Sequence, residues 1–126
     1  MVSRLSLIVV IEDDADERAA IGRVLRASGF DVDSYASAEA FMASSPSGAL
    51  CLLLDMQLEG MTGLELLRSL REGGSALPVI VITASDDVES HQEAEELGCV
   101  AYLRKPFSGR RLVSLFRELA SERTQS

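Results

Sequence analysis

The protein has 126 residues, a formal net charge of −8, 47% hydrophobic residues and 25% charged residues. This length fits one globular domain with a sizeable core, and the acidic balance argues against a nucleic-acid-binding surface, which needs clustered basic residues. The two cysteines, Cys51 and Cys99, lack the spacing of a zinc or redox site, so buried free thiols are expected. The apolar segment 5–11 is too short for a signal peptide or membrane span, which predicts a cytoplasmic protein without a membrane partner.

Strands and helices are predicted to alternate along the whole chain. Short apolar runs predict strands, and apolar residues at helical spacing predict helices. The predicted strands are 4–11, 30–36, 49–55, 77–84 and 100–103, and the predicted helices are 14–29, 37–44, 62–74, 86–98 and 108–123. Five strand–helix pairs in succession indicate an α/β protein with a parallel sheet covered on both faces. We expect the flavodoxin-like, doubly wound order 2-1-3-4-5, the common arrangement for five strands.

Local patterns add detail to these elements. The polar and apolar residues of 30–36 alternate, which is typical of a half-exposed edge strand. Asp14 and Ser37 stand where helix N-caps are expected. The predicted packing stripe of the first helix is Ala20, Ile21, Val24 and Leu25, and that of the third is Leu64, Leu67 and Leu70. The chain is expected to be a single domain over 1–126, with a core of about 4–121 and a polar C-terminal tail.

Polar side chains follow four of the predicted strands. Glu12 and Asp13 follow the first strand, Asp55 ends the third, Thr83 lies at the end of the fourth, and Lys105 follows the fifth. In an open parallel sheet the carboxyl ends of all strands lie at one edge, where ligands bind. The predicted topology therefore gathers these side chains in one shallow pocket.

Three crowded carboxylates repel one another, and a bound cation removes the conflict. Oxygen ligands that are few and partly solvated suit Mg²⁺, or Mn²⁺, whereas zinc prefers nitrogen or sulfur. A carboxylate such as Asp55 can attack phosphorus, while Lys105 neutralises phosphoryl oxygens and the Thr83 hydroxyl hydrogen-bonds one of them. Lys105 is the only lysine among 12 basic residues. The simpler interpretations are that Asp55 caps the following turn and that Glu12 and Asp13 are a solvated helix start.

Four motifs in this order, "VVIEDD", "LLLDMQLEGMTGLELL", "VIVITA" and "AYLRKPF", carry a resemblance to a known family. The chain resembles the receiver domains of two-component response regulators over about residues 5–119. In detail it is most similar to the receivers of LuxR-type transcription factors of the FixJ and NarL kind.

The resemblance implies a role for each matching residue. Asp55 corresponds to the phosphoacceptor, and Lys105 to the phosphate-binding lysine. The implied Mg²⁺ ligands are Glu12, Asp13, Asp55 and the backbone carbonyl of Gln57. The implied switch residues are Thr83 and Tyr102, and the resemblance also implies a cis peptide before Pro106.

The function implied is a phosphorylation switch and not an enzyme in the ordinary sense, although receivers assist their own phosphorylation and dephosphorylation. A sensor histidine kinase would donate the phosphoryl group, and the face of the fourth helix, fifth strand and fifth helix would relay the change to an output, here transcriptional regulation. Homodimerisation on phosphorylation is a further implied property, and DNA would be bound only through an output domain absent from this chain. The alternative is a pseudo-receiver, a protein-binding module that works without phosphorylation. A single-domain protein and an excised receiver both fit the sequence.

The chain departs from the family pattern in the loop after the third predicted strand and in the fourth predicted helix. Glu59 replaces the proline usual four residues after the phosphoacceptor, which predicts a more mobile or differently shaped loop. The fourth helix has polar residues at expected apolar positions, so we predict that it is loosely held. Its expected stripe is Val88, Ala94 and Leu97. His91, the only histidine, is predicted to face solvent on this helix.

Overall fold

A computed structural model describes residues 6–44 and 48–125, with side chains described as far as residue 122. The strands β1 to β5 are Leu7–Ile11, Asp31–Tyr35, Cys51–Asp55, Val79–Thr83 and Ala101–Arg104. The helices α1 to α5 are Ala15–Ala27, Ala38–Ser44, Gly63–Glu72, Val88–Glu96 and Gly109–Gln125. Every predicted element is present, and residues 4 and 5 of the predicted first strand lie outside the described residues. The polar C-terminal tail is predicted to begin after about residue 121, which lies inside α5. None of the helices in the described residues is long and apolar enough to cross a membrane.

The five strands form one parallel sheet in the order β2-β1-β3-β4-β5, which confirms the predicted topology. Every residue of β1, β3 and β4 is buried, as expected for strands covered on both faces. β2 pairs only with β1 and is partly exposed, which confirms the edge position predicted from its alternating pattern.

Side chains that alternate along the strands divide the core into two layers. In β1, Leu7, Val9 and Ile11 pack toward α2, α3 and α4, whereas Ile8 and Val10 pack toward α1 and α5. Phe116 is fully buried in the second layer, where its ring meets Phe30 edge to face at 6.0 Å. The two layers hold the sheet rigid, so the residues that follow each strand are placed by the packing of the strands themselves.

The predicted caps are confirmed at two helices. The Asp14 carboxylate accepts a hydrogen bond from the Glu17 N–H at 2.9 Å, and the Ser37 hydroxyl accepts one from the Ala40 N–H at 3.0 Å. Helix α3 begins with a reciprocal capping box between Thr62 and Glu65. These caps fix where α1 and α3 leave the edge of the sheet.

Parts of the predicted packing stripes are wrong. In α1 only Ile21, Gly22 and Leu25 are buried, while Ala20 and Val24 are exposed. In α3 Leu66 and Leu67 are buried, and the predicted Leu64 and Leu70 are partly buried at the margin. In α4 Ala94 is the only buried residue, Leu97 is half-buried and Val88 is exposed. Helical spacing defines a wide apolar stripe, but the rotation of each helix on the sheet decides which side of that stripe is covered.

Candidate functional site

Three carboxylates meet at the carboxyl edge of the sheet. Glu12, Asp13 and Asp55 each offer one oxygen, and these oxygens lie within 4.8 Å of one another. Glu12 and Asp55 are 1% and 2% exposed, whereas Asp13 is open to solvent. Such a group of hard oxygen ligands with one open side could hold a metal ion.

The pairing of β1 with β3 places the two buried acids side by side. Ile11 is the register partner of Leu54, so Glu12 and Asp55 follow neighbouring positions on adjacent strands. Gly63, the first residue of α3, permits this part of the chain to fold closely over β3. A Cβ atom on Gly63 would lie 2.3 Å from the backbone carbonyl oxygen of Asp55, so any larger residue there would force the backbone at one of these two positions to shift.

Lys105 joins this cluster from the end of β5. Its Nζ donates to Glu12 Oε1 at 2.9 Å and to Asp55 Oδ2 at 3.2 Å. Its backbone N–H donates to the carbonyl of Thr83 at 2.7 Å, which ties the lysine to the end of β4. The Lys105–Pro106 peptide bond is cis, as the family resemblance implied.

The charges of the cluster are strongly coupled. Burial raises the pKa of Glu12 to about 8, with Asp55 adding to the rise and Lys105 opposing it. Burial tends to lower the pKa of Lys105, but its hydrogen bonds to Glu17 and Glu12 and the charge of Asp55 outweigh it, so the pKa of Lys105 is raised. Burial therefore favours the protonated form of Glu12 in the metal-free protein, and the neighbouring acids favour the charged form of Lys105.

The loop after β3 is held by hydrogen bonds from its own backbone. The Gln57 N–H donates to Asp55 Oδ1 at 2.9 Å, and the Met61 N–H donates to Glu39 Oε2 at 3.0 Å. The Glu59 N–H donates to Asp13 Oδ2 at 3.3 Å. Because proline has no N–H, the family's usual proline could not make this last bond. The sequence departure thus adds a backbone link between this loop and one of the clustered acids.

Thr83 ends β4, the strand that pairs with β3, and Tyr102 lies on β5. Both line a cavity of about 220 Å³, together with Met56 and Gln57. Thr83 is buried and its Oγ1 accepts a hydrogen bond from the Ser85 N–H at 3.0 Å. Burial raises the pKa of Tyr102, and a polar interaction with the Thr83 side chain opposes that shift. The two predicted switch residues therefore border the same cavity.

His91 packs on Tyr102, a contact that sequence reasoning missed. The two rings stack with centroids 3.9 Å apart and planes inclined by 16°. The Nε2 atom of His91 lies 2.9 Å from Glu95 Oε1, one helical turn away. The His91 side chain is 44% exposed, so it faces solvent in part, as predicted, and is otherwise covered by its neighbours.

A family profile described as "Response regulator receiver domain" matches residues 8–117. The chain belongs to this family. The match contains the acidic cluster, the loop after β3 and Lys105, so every residue singled out by sequence lies inside the receiver.

Curated proteins similar to this chain include a transcriptional regulatory protein and a response regulator protein. The receiver is 35% identical over 109 residues to the transcriptional regulatory protein FixJ of Bradyrhizobium diazoefficiens, covering 86% of this chain and 53% of that protein. It is 31% identical over 118 residues to the response regulator protein TodT of Pseudomonas putida, covering 93% of this chain and 52% of that protein. The chain thus spans about half the length of these relatives.

Solved structures agree with the receiver fold. Full-length FixJ from B. japonicum superposes with a TM-score of 0.83 at 31% identity, covering 96% of this chain and 60% of that chain. A CheY-like receiver domain protein from Methanospirillum hungatei has a TM-score of 0.87 at 24% identity, covering 95% and 97% of the two chains. The second likeness concerns the fold alone.

The predicted site residues fall into two neighbouring groups. Glu12, Asp13, Asp55 and Lys105 lie together, while Thr83 and Tyr102 border the adjacent cavity. The Gln57 backbone lies beside Asp55, and its carbonyl as a metal ligand stays a prediction. Sequence reasoning missed Glu17, whose Oε2 lies 2.8 Å from Lys105 Nζ. A usable signal was present, because the first turn of a helix that follows β1 must lie over the same edge of the sheet.

Proposed function

We propose that this receiver is a phosphorylation switch in which Asp55 accepts a phosphoryl group from a sensor histidine kinase. The observation that carries the proposal is the nearly complete burial of Asp55 at the pocket edge, with Lys105 Nζ 3.2 Å from its Oδ2. A carboxylate that only capped a turn would not need a lysine or two further acids beside it.

Each residue of the pocket has a defined part in this transfer. An Asp55 oxygen attacks phosphorus as the P–N bond of a phosphohistidine breaks, and the bonding electrons return to the imidazole of the kinase. Lys105 places positive charge against the phosphoryl oxygens, and the Thr83 hydroxyl is available to hydrogen-bond one of them. The product is an aspartyl phosphate on Asp55.

The donor set of the pocket fits Mg²⁺, or Mn²⁺, because it consists of oxygen ligands with one open side. Glu12, Asp13 and Asp55 would hold the ion, with the Gln57 carbonyl as the fourth proposed ligand. When bound, the ion would offset negative charge on the phosphoryl oxygens. A bound cation would favour the ionised form of Glu12, which burial disfavours.

Thr83 and Tyr102 are the proposed link between the pocket and the partner surface. Movement of Thr83 toward a phosphoryl group would alter the cavity that it shares with Tyr102, and Tyr102 contacts α4 through its stack with His91. The face of α4, β5 and α5 would then change its partner preference. By analogy with FixJ, which is named a transcriptional regulatory protein, the proposed output is transcriptional and acts through an output domain. Homodimerisation of the phosphorylated receiver is a further part of the proposal. The proposed switch is a single receiver domain over residues 1–126 that works in the cytoplasm.

The decisive experiment is mass spectrometry of the intact protein after incubation with acetyl phosphate and Mg²⁺. We expect one phosphoryl adduct on the wild type, no adduct on Asp55→Asn, and strong inhibition by a chelator. Asp33→Asn is a matched control, because it removes the same charge from the middle of β2, which β1 separates from β3. Transfer from the phosphorylated histidine domain of a kinase then tests the physiological donor.

An unmodified wild type that also fails to bind Mg²⁺ would contradict the proposal. That result would favour a pseudo-receiver that binds partners without phosphorylation. An adduct that persists in Asp55→Asn would place the phosphoacceptor at another residue.

A further inference from the structure

The ammonium group of Lys105 donates a hydrogen bond to each of three carboxylates. Nζ donates to Glu17 Oε2 at 2.8 Å, to Glu12 Oε1 at 2.9 Å and to Asp55 Oδ2 at 3.2 Å. A lysine has three N–H donors, so none remains for a phosphoryl oxygen while all three contacts hold. Binding of a phosphoryl group by Lys105 therefore requires the exchange of at least one of these partners.

Glu17 differs from the other two acids in its position. It lies in the first turn of α1, where the Asp14 cap holds its backbone N–H at 2.9 Å, and its side chain is 48% exposed. It is not among the three acids whose oxygens cluster as a candidate metal site. A cation that engages Glu12 and Asp55 would therefore leave Glu17 as the acid that still competes for the lysine.

We propose that Glu17 is a positioning residue that retains Lys105 on the α1 side of the pocket and thereby slows phosphorylation of Asp55. The inference rests on the proposed function, because it assumes that Lys105 acts on a phosphoryl group at Asp55. Breaking the contact between Lys105 and Glu17 costs little free energy, because water can solvate the exposed Glu17 carboxylate as the lysine leaves. Removing the charge of Glu17 makes Lys105 available before the phosphodonor arrives.

The test compares Glu17→Gln with Asp16→Asn. Asp16 is a matched control because it lies in the same first turn, is exposed, and has no contact with Lys105 in the described part of the chain. Both changes remove one negative charge, and only the first removes the ion pair. Rates of adduct formation are measured by mass spectrometry over a series of acetyl phosphate concentrations, with Mg²⁺ present and at low and high salt.

We expect Glu17→Gln to raise the maximal phosphorylation rate by about two- to five-fold, the range of a partly exposed ion pair. The gain should fall less in about 1 M salt than any effect of Asp16→Asn, because the 2.8 Å contact of Lys105 with Glu17 is shorter than the screening length of about 3 Å. Asp16→Asn should change only the dependence on donor concentration, and that change should disappear in high salt. Beryllofluoride, a phosphoryl mimic, should bind Glu17→Gln more tightly than wild type by a similar factor in an NMR titration.

Each failure has a separate meaning. If wild type is phosphorylated but Glu17→Gln behaves like Asp16→Asn or is slower, the role of Glu17 is wrong and the proposed function stands. If the wild type takes no phosphoryl group at all, the proposed function fails, and this inference fails with it. Glu17→Ala, with its thermal unfolding measured, is a second variant that must show the same acceleration.

Discussion

The side-chain carbonyl oxygen of Gln57 accepts a hydrogen bond from the backbone N–H of Ala84 at 3.1 Å. Gln57 follows β3 and Ala84 follows β4, so this one contact joins the two loops on either side of the pocket. Both residues stand directly beside groups of the proposed chemistry, Asp55 and Thr83. The contact is specific to the length and acceptor of the glutamine side chain.

Gln57→Met should release the Ala84 N–H without changing the size of the side chain much. We expect faster amide hydrogen exchange at Ala84, with the free energy of unfolding changed by less than about 1 kcal/mol because water replaces the lost acceptor at this exposed site. Gln57→Glu keeps an acceptor at the same position and serves as the control. Equal protection of Ala84 in the methionine variant and the wild type would show that the contact does not persist in solution.

Metal binding should stabilise the fold through the acidic cluster. At about ten times its dissociation constant, Mg²⁺ should add about 1.4 kcal/mol to the free energy of unfolding and raise Tm by about 4–8 °C. Asp13→Asn should remove most of this gain, because it removes a ligand oxygen from the cluster. Calorimetry with Asp16→Asn, which should keep the full gain, checks that loss of charge alone is not responsible.

Stability of the metal-free protein should depend on pH through Glu12. Burial and the neighbouring Asp55 raise the pKa of Glu12 from 4.5 to about 8, so the folded protein holds a proton that the unfolded chain has released. The resulting stabilisation is fully present below pH 4.5 and is lost as the pH rises through about 8. The slope in this window should reach at most about 1.4 kcal/mol per pH unit.

Urea unfolding in the presence of a chelator measures this slope. Glu12→Gln should flatten it, because the amide does not titrate, and saturating Mg²⁺ should flatten it in the wild type by favouring the carboxylate. A free energy of unfolding that rises between about pH 6 and about pH 8 in the metal-free protein would contradict the raised pKa of Glu12.

Arg71 should matter more for stability than its neighbour Arg68. Its guanidinium donates to the Leu97 carbonyl at 2.7 Å and also to carbonyls of the loop before β4, Ser75 at 3.0 Å and Leu77 at 2.9 Å. Arg71→Met should therefore cost about 2 kcal/mol in the free energy of unfolding. Arg68→Met, which removes a surface ion pair with Glu93 and the charge near Glu65, should cost less than about 1 kcal/mol in the same denaturant titration.

Much of the fold was predictable because its signals are local. Apolar runs mark β1, β3 and β4, of which β3 and β4 end in one polar residue each. Alternation marks the edge strand β2, and Asp14 and Ser37 cap the helices that follow. Parallel topology then brings the residues after each strand to one edge, so Glu12, Asp13, Asp55 and Lys105 could be placed together without coordinates. Such patterns depend on neighbours in sequence and on the connection rules of parallel sheets.

The remaining features depend on how elements are rotated against one another. Val88 and Val24 belong to apolar stripes yet are exposed, because the helix orientation covers only one side of each stripe. The partial exposure of α4, which has a single buried residue, agrees with its polar pattern, and its loose attachment stays a prediction for hydrogen exchange.

The sequence by itself determined the fold class and the polar residues that follow each strand, because hydrophobic periodicity depends on neighbouring residues. The strand order was expected as the common arrangement for five strands, and the observed strand pairing confirms it. Only the tertiary structure decided that Glu17 shares Lys105, that the Gln57 side chain holds Ala84, and that His91 stacks on Tyr102. These contacts join side chains from different elements across a few ångströms. Their formation depends on rotamers and helix orientation, which follow from the packing of the whole core and not from any local pattern.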